Sequence, residues 1–279
     1  MIYRLSVIKI VATDMDETFL AHDHSIPQAN IDACLKMREA GVLFVPASGR
    51  GYSSVMHSLE SMPEACLADS YVISYNGGCI NRVGDDTPII SSTLPFETIR
   101  SIFEWSKDKN VGIHLYELAG TIWGYNIIEE EYEYLKGHME LTPLPGDSID
   151  FLRDVPLSKI LYVYPDLDYL HKLADEMPTE LYPGTDTTFS SGRYFEFNPQ
   201  GVNKGSGLRA LAEILSVDIA DVIACGDSTN DLDMIEAAGI GVAVANSTQD
   251  VIEAADYLAT STCNDGIFKE VYEHFIENA

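Results

Sequence analysis

The feature that most constrains this chain is an apolar run, Val7-Ile8-Lys9-Ile10-Val11-Ala12, that leads into Asp14-Met15-Asp16-Glu17-Thr18. Its β-branched residues read as a strand buried on both faces, and strands of that kind belong to parallel sheets. The carboxyl ends of parallel strands share one edge, and open α/β sheets bind their ligands at that edge. Two carboxylates therefore emerge where such a sheet presents its binding edge. Taken alone they would suit a polar turn beside a helix cap equally well. The remainder of the chain has to decide.

The same pattern recurs. A buried strand over residues 42–45 enters the turn Ala47-Ser48-Gly49-Arg50, and another over 71–74 ends at Asn76-Gly77-Gly78. Between them, Ser25 is placed to cap a helix with Pro27 in its first turn and Gly41 at its end. A second helix is expected over 53–61. After residue 203 the alternation resumes with a helix over 204–215 and a strand over 221–225 that enters Gly226-Asp227-Ser228-Thr229-Asn230-Asp231. A strand over 240–245 and helices over 249–255 and 266–276 follow. Residues 85–197 differ in character: they hold both tryptophans, hairpin-like strands near 113–116 and 121–125, and an acidic, tyrosine-rich helix over 128–137. A strand over 157–164, a helix over 167–176 and a half-exposed strand over 194–197 follow there, with the helices on one face. The expected fold is α/β, a doubly wound Rossmann-like parallel sheet core with an inserted α+β cap domain. Residues 1–84 and 198–279 would form a discontinuous core, and 85–197 the cap.

Composition removes several function classes. With 17 Lys+Arg against 44 Asp+Glu the formal charge is −27, which disfavours nucleic-acid and membrane partners. An anionic substrate then needs a local cation to overcome the global field. No apolar run approaches membrane-spanning length, and the N-terminus shows no signal peptide. The five cysteines are scattered without C-x-x-C spacing, which fits reduced thiols in a cytoplasmic protein better than a disulfide framework or a zinc site.

Four polar clusters remain: Asp14/Asp16, Ser48-Gly49-Arg50, Lys204-Gly205, and Asp227 with Asn230-Asp231. Three of them follow predicted buried strands and converge on one sheet edge. Carboxylates at that edge suit a hard, oxygen-preferring cation such as Mg²⁺. A hydroxyl, an ammonium and backbone N–H groups suit phosphate oxygens. Neither acidic pair fits a calcium loop, because the sixth positions are Phe19 and Leu232 where glycine is required. No G-x-G-x-x-G follows the first strand, so a dinucleotide site is disfavoured.

On these motifs the sequence resembles the haloacid dehalogenase (HAD) superfamily, in particular its Cof-type hydrolases with a class IIB α/β cap. Asp14 to Thr18 is similar to that family's D-x-D-x-T, Ser48 to its second motif, Lys204 to its third, and Gly226 to Asp231 to its G-D-x-x-N-D. The resemblance implies a Mg²⁺-dependent phosphatase for small phosphorylated metabolites such as sugar phosphates, working through an aspartyl-phosphate. It implies Asp14 as nucleophile and Asp16 as acid and base. Asp14, Asp16, Asp227 and Asp231 would serve the metal, and Ser48, Gly49, Lys204 and Asn230 the phosphate. A phosphosugar mutase on the same fold and a non-catalytic phosphometabolite-binding protein are the alternative readings. One departure stands out: Glu17 occupies the position at which the family usually has glycine.

Overall fold

The computed structural model describes residues 8–136 and 139–277, and these fall into two compact units, Met1–Ile90 with Asn203–Ala279 and Ser91–Val202. The chain begins with Ile10–Asp14 (β1), Gln28–Glu39 (α1), Leu43–Ala47 (β2), Tyr52–Ser58 (α2), Glu64–Leu67 (α3), Tyr71–Ser74 (β3), Cys79–Arg82 (β4) and Ile90–Ser91 (β5). The inserted unit holds Phe96–Ser106 (α4), Gly112–Glu117 (β6), Ile122–Tyr125 (β7), Glu129–Leu135 (α5), Thr142–Pro143 (β8), Leu157–Val163 (β9), Leu167–Glu176 (α6), Thr185–Ser190 (β10) and Tyr194–Pro199 (β11). The first unit then resumes with Lys204–Ile214 (α7), Val222–Gly226 (β12), Leu232–Ala237 (α8), Ile240–Ala243 (β13), Gln249–Ala254 (α9), Tyr257–Leu258 (β14) and Ile267–Phe275 (α10).

The first unit is built on an eight-stranded sheet in the order β14-β13-β12-β1-β2-β3-β4-β5. β1 is central, paired in parallel with β12 on one side and β2 on the other, and all of its residues are buried. That burial on both faces is what its run of Ile10, Val11 and Ala12 demands. One face packs Val11, Phe44, Val72 and Ile223 against Cys34 and Met37 of α1 and Phe268 of α10. The other packs Ile10, Val45, Ile73 and Val222 against Leu208 and Leu211 of α7.

The expected parallel sheet core is present, and at one edge β4 returns antiparallel to β3. The short link through Asn76-Gly77-Gly78 is too brief for a parallel crossover, which needs a dozen residues or more. Ser25 does not cap α1: the helix begins at Gln28 without a side-chain cap, and the Ser25 hydroxyl donates to Asp23 Oδ1 at 2.6 Å. The unit boundary lies beyond residue 84 because Ile90–Ser91 still joins the first sheet, and beyond 197 because β11 runs on to Pro199.

The inserted unit has a six-stranded sheet in the order β10-β11-β9-β6-β7-β8. Ile113, Ile160, Tyr162, Phe195 and Phe197 share one face with Ile102 and Phe103 of α4 and Leu170 and Leu173 of α6. The strand expected to be half-exposed is buried on both faces instead. Glu196, 5% exposed, points away from that apolar core and is neutralised by Lys159 Nζ at 2.6 Å. Nor do all helices lie on one face, because Glu131 of α5 reaches Arg193 (2.9 Å) and Tyr194 (2.7 Å) on the polar side. The end expected for that helix at Gly137 lies outside the described residues, as does Val7. No helix of the described residues is long and apolar enough to cross a membrane.

Candidate active site

The site is assembled within the first unit at the carboxyl edge of its sheet. β1 ends at Asp14, which is 7% exposed, and the chain then makes a single wide turn that the Leu20 N–H closes on the Met15 carbonyl at 2.8 Å. Within this turn Asp16 is extended (φ −75°, ψ 133°), and Glu17 adopts the left-handed conformation (φ 62°, ψ 4°). That region favours glycine, because a Cβ crowds the following carbonyl there. Thr18 is buried and its hydroxyl donates to Asp227 Oδ1 at 2.6 Å, tying the turn to the end of β12.

Lys204 opens α7, whose start is fixed by a reciprocal cap between Asn203 and Ser206. Its ammonium, fully buried, donates to Asp14 Oδ1 and, at 2.5 Å, to Asp231 Oδ1. The other oxygen of Asp231 accepts the backbone N–H groups of Asp227 (3.0 Å) and Ser228 (3.2 Å). Both Asp231 oxygens are thus engaged, and its carboxylate supports the cluster from behind. Carboxylate oxygens of Asp14, Asp227 and Asp231 lie within 4.8 Å of one another.

The electrostatics of this cluster are lopsided. Burial pushes Asp14 well above the ordinary carboxylate range; Lys204 opposes the shift, and Asp231, Asp227 and Asp16 add to it. Burial likewise raises Asp227 to about 6, against the hydrogen bond from Thr18. For Lys204, burial alone would lower the pKa, and Asp14 and Asp231 together hold it above the usual lysine value. Three carboxylates and one ammonium leave two negative charges uncompensated when all are ionised. A divalent cation with a taste for oxygen balances that deficit, so the residues fit Mg²⁺ by donor type and by charge.

The other expected residues surround this centre. Ser48 follows β2, next to Asp14 in the sheet register, and its buried hydroxyl accepts the Arg50 N–H at 3.1 Å. Gly49 lies against Asn76, whose Oδ1 would stand 3.2 Å from a Cβ placed there. Asn230 is exposed and donates to that same Asn76 Oδ1 at 3.3 Å, so it lies at the rim. The Asp16 side chain is not a member of the three-carboxylate cluster: Arg50 Nε stands 3.1 Å from its Oδ2 and His24 Nδ1 3.5 Å from its Oδ1. Thr18 and Asn76 carry no role of their own in the sequence reading, and Arg50 enters it only as a member of the Ser48-Gly49-Arg50 cluster. Each sits inside a motif that was recognised, and that was the only signal available.

The chain belongs to the haloacid dehalogenase-like hydrolase family, whose pattern matches residues 11–271, and is an enzyme of HAD type. It is 26% identical over 266 residues to the Bacillus subtilis protein named "Putative phosphatase YxeH", covering 95% of this chain and 97% of that one. Among solved structures it is similar to a haloacid dehalogenase-like hydrolase from Bacteroides thetaiotaomicron, with 28% identity, a TM-score of 0.82, and 96% and 100% of the two chains covered. It is also similar to BT1666 from the same organism, described among phosphatases of the HAD superfamily, at 25% identity and TM-score 0.81 over 99% and 97% of the chains.

Proposed function

We propose that this enzyme is a Mg²⁺-dependent phosphatase that hydrolyses phosphomonoesters of small metabolites through a phosphoryl group carried on Asp14. The observation that carries the reading is the buried Lys204 ammonium held between Asp14 and Asp231, beside Asp227. In this reading the first unit is the catalytic core. Lys204 engages Asp14 Oδ1, which leaves the other oxygen to attack phosphorus. As the new O–P bond forms, the ester P–O bond breaks, and Asp16 delivers a proton to the leaving oxygen. Asp16 then takes a proton from water as that water attacks phosphorus, releasing phosphate and restoring the Asp14 carboxylate. Arg50 and His24 keep the Asp16 carboxyl on the rim, where a leaving group departs. Ser48, the Gly49 N–H, Lys204 and Asn230 are the donors that would receive the phosphoryl oxygens. Asp14, the backbone carbonyl of Asp16 and Asp227 would hold Mg²⁺, with Asp231 behind them; bound there, the ion offsets charge on the phosphoryl group.

The test is phosphate release across a panel of sugar phosphates, nucleotides and other small monoesters, with Mg²⁺ or with EDTA. Turnover that requires Mg²⁺, needs no bisphosphate activator and falls more than about 10³-fold in Asp14→Asn is expected. An Asp14→Asn variant within tenfold of the parent would overturn the nucleophile assignment. Bisphosphate-dependent conversion of a sugar phosphate to its isomer, without net phosphate release, would favour a mutase.

A further inference from the structure

The same turn carries part of a second set of donors, and that set is chemically unlike the first. We propose that Glu17 Oε2, His22 Nδ1 and Cys263 Sγ form a site for a borderline divalent ion of the Zn²⁺ class. The three donor atoms lie within 4.8 Å of one another. Cys263 Sγ is 3.7 Å from His22 Nδ1 and 3.8 Å from Glu17 Oε2. Zn–S bonds of about 2.3 Å and Zn–N bonds of about 2.0 Å at tetrahedral angles put sulfur and nitrogen roughly 3.5 Å apart. The two spacings to sulfur are thus nearly those of a ligated ion. His22 and Glu17 contact each other directly, and this contact has to open to admit one. Both side chains have room for that, being 56% and 44% exposed, and the same exposure leaves a fourth position open to water.

The backbones that carry these donors are clamped together. Asn246 Nδ2 donates to the Glu17 carbonyl at 2.8 Å, and its Oδ1 accepts the Cys263 N–H at 2.9 Å. Asn264 Oδ1 accepts the His22 N–H at 3.1 Å. Two amide side chains therefore hold residues 17–22 against residues 263–264 without occupying a single donor atom. These bonds fix the backbones from which the three donor side chains project. Among the described cysteines, Cys263 is the one that the structure places in such a cluster.

Ligand chemistry separates the two sites. The Asp14 cluster offers oxygen alone and suits Mg²⁺; a thiolate and an imidazole suit Zn²⁺. On binding, the Cys263 thiol loses its proton to solvent, and the thiolate and the Glu17 carboxylate balance the ion's two charges. An ion held there fixes Glu17, and with it the turn that carries Asp16.

The experiment uses the full-length protein with Co²⁺ as a spectroscopic stand-in and excess Mg²⁺ to fill the all-oxygen site. A thiolate-to-cobalt charge-transfer band in the near ultraviolet is expected at one equivalent, lost on adding Zn²⁺ and absent in Cys263→Ser. His22→Ala, at an exposed position that leaves the fold intact, should weaken Co²⁺ binding at least tenfold. Circular dichroism of both variants confirms folding. No charge-transfer band in the parent, a band that persists in Cys263→Ser, or unchanged Co²⁺ affinity in His22→Ala would each overturn the proposal. None of these readouts depends on phosphatase activity, so the test stands or falls separately from the proposed function.

Discussion

Lys204 is the residue on which the proposed centre rests, and its burial makes the consequence of removing it large. Its ammonium compensates Asp14 and Asp231 in a place without solvent. Breaking a buried pair by deleting one partner costs more than the pair contributes, because a charge is left desolvated and alone. Lys204→Met should therefore destabilise the metal-free protein by roughly 3–5 kcal/mol, read as a lower urea midpoint at unchanged slope. A loss below about 1 kcal/mol would show that the carboxylates are already compensated elsewhere. This residue, with Asp14, Ser48 and Asp227, was legible because each follows a buried strand or opens a helix in a recognisable motif. Glu17, His22 and Cys263 were not legible as a group. No local spacing joins residues 22 and 263, and scattered cysteines argued against a zinc site. Only the fold brings them together, through Asn246 and Asn264. The unusual backbone at Glu17 was foreseeable from the glycine that its family places there, and the φ of 62° agrees.

At the scale of elements, the turn after β3 positions α7 and thereby Lys204. A Cβ on Gly77, at φ 94°, would stand 2.1 Å from the carbonyl oxygen of Asn203, the cap of that helix. Gly77→Ala should cost more than about 2 kcal/mol, combining the disfavoured φ with a backbone clash, and should displace Lys204 and lower turnover. Gly84→Ala is the control, because Gly84 has a similar φ of 87° with nothing within 4 Å of the added Cβ. Equal losses in the two variants would mean that contact with α7 is immaterial. The elements themselves were read unevenly. Strands buried on both faces and helices with an apolar stripe announce themselves by periodicity. β10 is rich in threonine and half-exposed, and β4 and β5 merely extend an edge, so their residues carry little pattern. β11 shows the reverse error. Its alternation of Phe195, Glu196 and Phe197 reads as half-exposed, and a buried lysine on the neighbouring β9 changes that reading.

For the whole molecule, charge and burial combine into a testable pH profile. Between pH 3.8 and about 6 the native state holds a proton on Asp227 that the unfolded chain has released. Stability must then fall as pH rises through that window, by about 3 kcal/mol from this group. Asp14, also raised by burial, acts in the same direction, and so does the self-repulsion of a chain with formal charge −27. Glu270 acts oppositely. Although burial tends to raise it, hydrogen bonds from Thr260, Ser261 and Tyr257 hold it near 2, so its contribution is lost as pH falls from 4.5 toward 2. Glu196, held down by Lys159 against its own burial, is lost on acidification as well. In EDTA the urea midpoint should therefore peak near pH 4–5 and decline toward pH 8. Saturating Mg²⁺ selects the ionised carboxylates and adds about 2.7 kcal/mol at a hundredfold excess over its Kd, so it should flatten or reverse the decline above pH 6. A metal-free midpoint that climbs steadily from pH 5 to 8 would show that the buried carboxylates are not the groups that set the profile. A decline that Mg²⁺ leaves untouched would show that they do not hold the ion.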